Sequence, residues 1–206
     1  MTDFDALAAS WDDSRRIDRA RRAAEAIAAA VPVKNSFRVL EYGAATGLLG
    51  ITLADRIREL VMIDSSPAMI GIAQRRIAES GRTNVRAELG DLTEHPWEGE
   101  PFDLVVSLMA LHHVADITLL LRRLLEATVD RGWIAVLDLE PEAGAYHDPG
   151  FEGHHGFSRG TLRRAFAAAG YAHITVRNAL TTERQVDGEV RRFGVFLATA
   201  QREAAR

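Results

Sequence analysis

Apolar residues follow two spacings along the chain, and these spacings predict its secondary structure. Short apolar runs bounded by glycine, proline or polar residues predict buried strands, whereas apolar residues three and four positions apart predict amphipathic helices. The predicted strands cover residues 37–41, 60–64, 84–89, 102–107, 132–139, 172–176 and 190–199. The predicted helices cover residues 4–11, 15–30, 47–56, 67–79, 116–128 and 158–169.

The order of these elements predicts an α/β fold. Strands that alternate with helices form parallel sheets, because each helix returns the chain to the same end of the sheet. The last two strands follow each other without a helix and predict an antiparallel hairpin at the sheet edge. Ser66 before Pro67 and Ser158 have the chemistry of helix starts, and Gly170 has that of a helix end.

The composition is typical of a globular protein and predicts a single domain over residues 1–206. Hydrophobic residues make up 47% of the chain, the formal net charge is −4, and no repeat or low-complexity linker marks a boundary. The absence of cysteine, of an apolar leader and of an apolar run of about 20 residues predicts a soluble, cytoplasmic protein without a membrane partner. The arginines interleave with acids and alanines, which favours a solvated helix face over a nucleic-acid surface.

The segment 39–50, with the sequence VLEYGAATGLLG, carries the most specific chemistry. It predicts a buried strand that enters a glycine turn and then a helix, and such a turn lets a ligand approach the bare backbone. Glu41 lies two residues before Gly43, where a carboxylate would repel a pyrophosphate and would suit a cationic ligand. S-adenosylmethionine (SAM) carries an ammonium and a sulfonium and is such a ligand.

Two further acids come at the ends of predicted strands. Asp64 follows Gly43 at the distance of an acid that binds ribose hydroxyls. Asp91 ends the third strand, where it could accept a hydrogen bond from the amine of an adenine. The alternative role of such acids is to cap the next helix, but Ser66 with Pro67 already explains one helix start and leaves Asp64 free for a ligand.

These motifs resemble the class I SAM-dependent methyltransferases, in particular their small-molecule branch, and the resemblance covers nearly the whole chain. The family's glycine loop has a middle glycine where this chain has Ala45, whose methyl group narrows the approach to the loop. The resemblance implies a Rossmann-like, doubly wound, seven-stranded sheet, mostly parallel with an antiparallel C-terminal hairpin strand, and SAM as the cofactor. The implied cofactor-binding residues are Trp11, Glu41, Gly43, Ala44, Gly47, Asp64, Ser65, Met69, Asp91, Leu92 and Ser107.

Histidines are the candidate catalytic residues, because transfer to a hydroxyl requires a base near neutral pH. His112 follows the fourth strand and is a candidate base or substrate contact, with a purely structural role as the alternative. For His113 the structural role is favoured. His155 is a second catalytic candidate. A metal is not predicted, since the histidines of the loop at residues 140–157 match no standard ligand spacing.

Two segments are expected to define the acceptor site. Residues 1–30 resemble the family's helical lid over the cofactor, and the loop 140–157 should overhang the reaction site on the substrate side. Tyr146, Phe151 and Phe157 in that loop could line an apolar pocket. The partner is therefore a small-molecule acceptor, while its identity, the methylated atom and the oligomeric state are not determined by the sequence.

Two other functions remain possible on this sequence. An NAD-dependent oxidoreductase uses the same kind of sheet, but Glu41 and Ala45 disagree with its glycine motif. A noncatalytic SAM-binding module would bind the cofactor without an acceptor pocket. The cofactor that raises the melting temperature distinguishes the first alternative from SAM binding.

Overall fold

The computed structural model describes residues 3–204 of the chain. Its helices are α1 (Phe4–Leu7), α2 (Ser14–Ala30), α3 (Leu48–Leu53), α4 (Pro67–Ser80), α5 (Ile117–Glu126) and α6 (Arg159–Ala169). Its strands are β1 (Arg38–Tyr42), β2 (Glu59–Asp64), β3 (Val85–Leu89), β4 (Phe102–Leu108), β5 (Thr128–Leu139), β6 (Tyr171–Val186) and β7 (Glu189–Arg202). No helix within this part of the chain is both long and apolar enough to cross a membrane.

The seven strands form one sheet in the order β3-β2-β1-β4-β5-β7-β6. The first five strands are parallel, and β7 pairs antiparallel with both β5 and β6. This confirms the predicted doubly wound sheet with an antiparallel C-terminal hairpin. The strand order reverses between β1 and β4, and such a reversal leaves a crevice at the carboxyl ends of the two strands.

Helices cover both faces of the sheet, because the strands have apolar side chains on both faces. In β1, Val39 packs on the face covered by α2, α3 and α4, whereas Leu40 packs on the face covered by α5 and α6. Strands buried on both faces are continuous apolar runs, which is why the sequence pattern located them. The burial on both faces fixes the sheet and therefore the positions of its strand ends.

The helix ends follow the predicted cap chemistry. Ser66 Oγ accepts a hydrogen bond from the Met69 amide at 3.2 Å, and Ser158 Oγ accepts one from Thr161 at 3.1 Å. Gly170 ends α6 with a φ of +102°. A side-chain cap of this kind satisfies one of the free amides at a helix start.

The first predicted helix and the hairpin differ from the prediction. The segment predicted as a helix over 4–11 is the single turn α1 followed by a 3₁₀ turn at Ala8–Ser10. Strand β6 extends ten residues beyond the predicted end at residue 176. Polar residues fill much of this extension, so no apolar run marks it, and pairing with β7 holds it in the sheet.

Candidate active site

A cavity of about 690 Å³ lies at the point where the strand order reverses, and we call it the switch-point cavity. The carboxyl ends of β1, β2 and β4 contribute to its walls, together with the start of α4 and the lid of residues 3–30. Most of the predicted cofactor-binding residues line this cavity. These are Trp11, Glu41, Gly43, Ala44, Asp64, Ser65, Met69 and Asp91.

Three other predicted cofactor residues lie behind the cavity wall. Gly47 precedes α3 with a φ of +81°, and a Cβ there would lie 2.8 Å from the Met62 sulfur. Leu92 is buried in the core on the α5 side, and the Ser107 hydroxyl donates to the Tyr42 carbonyl at 2.9 Å. Their packing supports the wall, and a direct cofactor contact by these three residues stays a prediction that their placement does not favour.

A backbone hydrogen bond from Ala45 closes the glycine loop. Ala45 adopts a φ of +48°, a left-handed conformation that favours glycine, and its amide donates to Asp64 Oδ2 at 2.7 Å. The other oxygen, Oδ1, accepts from the Ser66 amide at 2.9 Å. Asp64 therefore also supports the start of α4, contrary to the expectation that Ser66 and Pro67 leave it free.

Both strand-end acids present part of a carboxylate to the cavity. Burial raises the pKa of Asp64, although hydrogen bonds from the Ser66 and Ala45 amides oppose this. Asp91 Oδ1 accepts from the Tyr42 hydroxyl at 3.1 Å and from the Thr93 amide at 2.8 Å. Each acid is thus held in one orientation, which suits the recognition of hydroxyl and amine donors.

Glu41 is buried to 2% exposure and still lines the cavity. Its Oε2 accepts a hydrogen bond from the Gly50 amide at 2.9 Å. Burial raises the pKa of this carboxyl to about 8, with that hydrogen bond opposing the rise and the charge of Asp64 adding to it. A cation bound nearby would favour the ionised form.

A second cavity of about 500 Å³ adjoins the first, and we call it the outer cavity. It is lined by the lid, the loop 140–157 and the extension of β6. Thr182, Glu183 and Arg184 reach it from β6, and the sequence analysis missed them because they lie past the predicted strand end. The residues that line both cavities are Phe4, Trp11, Arg16, Arg19, Met109, His113 and Phe151.

His112 and Asp138 form a buried pair beside the outer cavity. The Nδ1 atom of His112 lies 2.6 Å from Asp138 Oδ1, and the His112 amide donates to Oδ2 at 3.2 Å. The pKa of Asp138 is lowered despite complete burial, because the His112 ring and backbone amides stabilise its charge. An ionised Asp138 holds the proton on Nδ1, so Nε2 is the basic nitrogen of a ring that lines the outer cavity.

His113 and Met109 lie at the junction of the two cavities. Burial lowers the pKa of His113 to about 3, so the ring is neutral. The edge of the ring contacts Phe4 and Phe151 at ring-centroid distances of 4.9 and 5.3 Å. His113 therefore packs against two aromatic rings and also lines both cavities. Met109 has a φ of +57°, a strained conformation that no local sequence signal announces.

In the loop 140–157, the histidines that line a cavity do not include the one that the sequence favoured. His155 is half-exposed, lies 3.0 Å from Glu142 Oε1 through Nδ1, and lines neither cavity described above. A catalytic role for His155 stays a prediction that this placement does not favour. His147 instead lines the outer cavity and stacks on Phe151 at 3.7 Å.

Among residues 3–204, two groups of side chains could hold a metal ion by geometry. His112, His113 and His147 offer ligand atoms within 4.8 Å of one another, as do Glu142, His147 and His155. The three histidines of the loop 140–157, which are His147, His154 and His155, do not together form either group. The absence of a metal stays a prediction.

The lid is attached to the glycine loop and to α4. Asp12 accepts a hydrogen bond from the Thr46 hydroxyl and forms an ion pair with Arg76 of α4. Trp11 lies next to this attachment and packs under the guanidinium of Arg16 at 4.2 Å. Trp11 therefore lines the cavity as predicted, on a segment that bonds directly to the loop.

Comparison with known proteins places this site in a family. Residues 39–132 match a family described as "Methyltransferase domain". This range contains the glycine loop, both strand-end acids and the two histidines after β4.

The curated relatives of this chain include O-methyltransferases by name. A ubiquinone biosynthesis O-methyltransferase from Azorhizobium caulinodans is 36% identical over 108 residues, which are 52% of this chain and 42% of the relative. A malonyl-[acyl-carrier protein] O-methyltransferase from Halorhodospira halophila is 33% identical over 144 residues, which are 68% of this chain and 47% of the relative. The chain thus spans less than half the length of either relative.

A solved structure shares the fold over nearly the full length. A SAM-dependent methyltransferase from Aquifex aeolicus superposes with a TM-score of 0.72 over 98% of this chain and 99% of its own, at 17% identity. The family match, the curated relatives and the fold agree. Residues 39–132 therefore belong to a methyltransferase domain family, and the chain shares its fold with a SAM-dependent methyltransferase.

Proposed function

We propose that the chain transfers the methyl group of SAM to a small-molecule acceptor by in-line displacement. SAM would occupy the switch-point cavity and the acceptor the outer cavity. The observation that carries the proposal is that the two cavities share a wall, with Met109 and His113 at their junction. The names of the two curated relatives favour oxygen as the methylated atom.

The residues of the switch-point cavity fit SAM. Its volume lies within the range of about 300–1,000 Å³ that is usual for ligand cavities. Glu41 is a buried carboxyl whose ionisation a cation would favour, and SAM is cationic at the ammonium and the sulfonium. Asp64 and Asp91 offer carboxylate oxygens for the ribose hydroxyls and the adenine amine.

The chain's own residues supply the acid–base chemistry. Bound SAM supplies an electrophilic methyl group on its sulfonium. We infer that His112 Nε2 takes the proton of an acceptor hydroxyl, while Nδ1–H donates to Asp138. The negative charge of Asp138 then stabilises the imidazolium, as in other pairs of histidine and aspartate. Phe4 and Phe151 cover the junction and limit access of water.

The remaining predictions on location and partners belong to this proposal. We keep the cytoplasmic location, the absence of a nucleic-acid partner and the single domain over residues 1–206 as predictions. The acceptor is a small molecule in this proposal, because the outer cavity is of ligand size. The oligomeric state is left open.

Binding of cofactors to the wild type and to Asp64→Ala tests the first half of the proposal. We expect SAM and its demethylated product, S-adenosylhomocysteine (SAH), to raise the melting temperature, and Asp64→Ala to weaken SAH about tenfold or more through loss of charge-assisted hydrogen bonds. Asp55→Ala is the control, since Asp55 is an exposed acid paired with Arg82. Binding of NAD alone would instead identify an oxidoreductase.

Turnover by His112→Ala tests the second half. With an acceptor found by screening hydroxylated small molecules for SAH release, we expect His112→Ala to lower kcat about 10²-fold or more, as for loss of a general base. SAH affinity should stay unchanged, because His112 does not line the switch-point cavity. SAM binding without turnover on any acceptor would support the noncatalytic module.

A further inference from the structure

The outer cavity carries a positive charge although the chain has a net charge of −4. Four arginines and three acids are among its lining residues, and burial keeps the ring of His113 neutral by lowering its pKa to about 3. The charged lining residues are Asp13, Arg15, Arg16, Arg19, Asp148, Glu183 and Arg184. Their pairing determines which charge is available to a ligand.

Most of these charges are neutralised within the protein. Asp13 pairs with Arg15 and Arg16, at 3.4 and 2.9 Å respectively. Arg184 pairs with Asp148 at 2.6 Å. Glu183 pairs with Arg192, which does not line the cavity, at 2.9 Å. Asp13 is shared by two arginines, so these pairs leave one positive charge in the group of Asp13, Arg15 and Arg16 and a second on Arg19.

Arg19 has no acidic partner among residues 3–204. Its Nη1 donates to the hydroxyls of Tyr146 and Thr182, at 3.4 and 3.2 Å. Its Nε is buried and lacks a hydrogen-bond partner within the same residues. A buried donor without a partner is costly, so this guanidinium is prepared for an acceptor that a ligand would provide.

Arg16 increases the attraction for an anion at this place. Burial lowers the pKa of Arg16, and the nearby charge of Arg19 lowers it further, against the opposing effect of Asp13. Two guanidinium groups thus repel each other across a partly closed space. An anion bound in the outer cavity next to both guanidinium groups would reduce this repulsion.

We propose that Arg19 binds a carboxylate group of the methyl acceptor, so that the substrates of this enzyme are small carboxylic acids that also carry the group to be methylated. The inference rests on the proposed function of the two cavities. A carboxylate matches the planar fork of a guanidinium and accepts two hydrogen bonds from it. Arg19 would thereby orient the acceptor relative to His112, which lines the same cavity.

A carboxylate could also come from the methionine part of the cofactor, because Arg19 lines both cavities. The hydroxyl partners favour the acceptor. Tyr146 and Thr182 both line the outer cavity and not the switch-point cavity, so their hydrogen bonds hold Nη1 of Arg19 at the wall of the outer cavity.

Calorimetry on SAH-saturated protein tests this inference with paired probes. Each probe pair consists of a hydroxylated aromatic or aliphatic carboxylic acid and its primary amide, for example 3,4-dihydroxybenzoate and 3,4-dihydroxybenzamide. We expect at least one acid to bind the wild type about tenfold or more tightly than its amide, the size expected for charge-assisted hydrogen bonds. Arg19→Gln should remove this preference and Arg19→Lys should retain part of it, and Arg19→Gln should change the Kd for the acid more than the Kd for SAH.

Arg22→Gln is the matched control on the same helix, since Arg22 lines neither cavity and lies 3.8 Å from Asp18. Three results would overturn the inference: equal affinity of every acid and its amide, equal effects of Arg19→Gln and Arg22→Gln, or a loss of SAH affinity in Arg19→Gln with the acid preference intact. The last result would assign Arg19 to the cofactor. If SAH fails to bind the wild type, the proposed function itself fails and the inference with it.

Discussion

At the scale of single residues, Glu41 joins the fold to the chemistry. Its carboxyl is buried, accepts from the Gly50 amide and lines the switch-point cavity. Burial raises its pKa from 4.5 to about 8, so most of it is protonated at pH 7 without a cation. The same side chain is therefore neutral in the empty protein and anionic next to a bound cation.

Proton release on cofactor binding is the first prediction. At pH 7, SAM binding should release up to about one proton from Glu41, because a nearby cation lowers its pKa. Calorimetry in buffers of different ionisation enthalpy measures the release. Glu41→Gln should abolish it, and an unchanged release in this variant would assign the proton to another group.

The same shift predicts how stability depends on pH. The folded-state pKa of Glu41 lies above its unfolded value, so its contribution lowers the free energy of unfolding as pH rises from about 4.5 to about 8. Urea unfolding of the cofactor-free protein should show a smaller decrease over this range in Glu41→Gln than in the wild type. Parallel pH curves for the two proteins would contradict the raised pKa.

Ala45 is the second residue with a measurable consequence. Its left-handed backbone costs an alanine about 1–2 kcal/mol, whereas glycine gains freedom in the unfolded chain worth about 0.4–1 kcal/mol. Ala45→Gly should therefore change stability by less than about 1.5 kcal/mol and tighten SAM binding a few-fold by opening the loop. Ala143→Gly is the control, because Ala143 has a similar φ of +55° away from both cavities.

At the scale of elements, the lid and the hairpin turn an open sheet end into two cavities. The lid bonds to the glycine loop through Asp12 and Thr46, and Asp5 of the lid accepts from the Ser66 hydroxyl at the start of α4. The extension of β6 meets the lid through the hydrogen bond between Arg19 and Thr182. Lid and hairpin therefore close the outer cavity from two sides.

Loosening the lid should shorten the residence of the cofactor. Asp12→Ala removes both the hydrogen bond with Thr46 and the ion pair with Arg76. We expect stopped-flow measurements to show SAH dissociating about tenfold faster, as expected from the loss of charge-assisted bonds. Asp18→Ala is the control, since Asp18 pairs only within α2 in the described structure, and equal rates in the two variants would show that the attachment does not hold the cofactor.

At the scale of the whole molecule, the candidate functional residues lie at one end of the sheet, where the parallel strands have their carboxyl ends. The reversal of strand order between β1 and β4 opens the switch-point cavity, and the helices on both faces leave this end uncovered. Away from the carboxyl ends of the strands, the helices on both faces bury the sheet in the core. Ligand binding should therefore stabilise segments that are distant in sequence and adjacent in space.

Hydrogen exchange with and without SAH measures this pattern. We expect slower exchange in the lid at residues 3–16 and in the loops at 43–47, 64–69 and 89–93, because their backbones surround the cavity. The base of the hairpin near Tyr171 and Arg202, which lies outside the cavity wall, should show no change. Uniform protection along the chain would indicate global stabilisation instead.

The sequence by itself determined the sheet and the switch-point cavity. Glu41, Asp64 and Asp91 could be assigned to it because each directly follows or ends an apolar strand, and parallel strands bring their carboxyl ends to one edge of the sheet. Ser66, Ser158 and Gly170 could be assigned because caps depend on neighbours a few residues away. Both kinds of signal are local in the chain.

Only the tertiary structure decided the outer cavity. The pairing of His112 with Asp138 requires that β4 and β5 are neighbours. The lack of an acidic partner for Arg19 in the described part of the chain depends on the positions of acids from three separate segments. Ser107 and Leu92 have suitable positions in sequence, but the Ser107 hydroxyl of β4 donates to the Tyr42 carbonyl, and Leu92, in the turn after β3, packs into the core. Contacts between distant segments leave no local pattern, and they define the outer cavity of this protein.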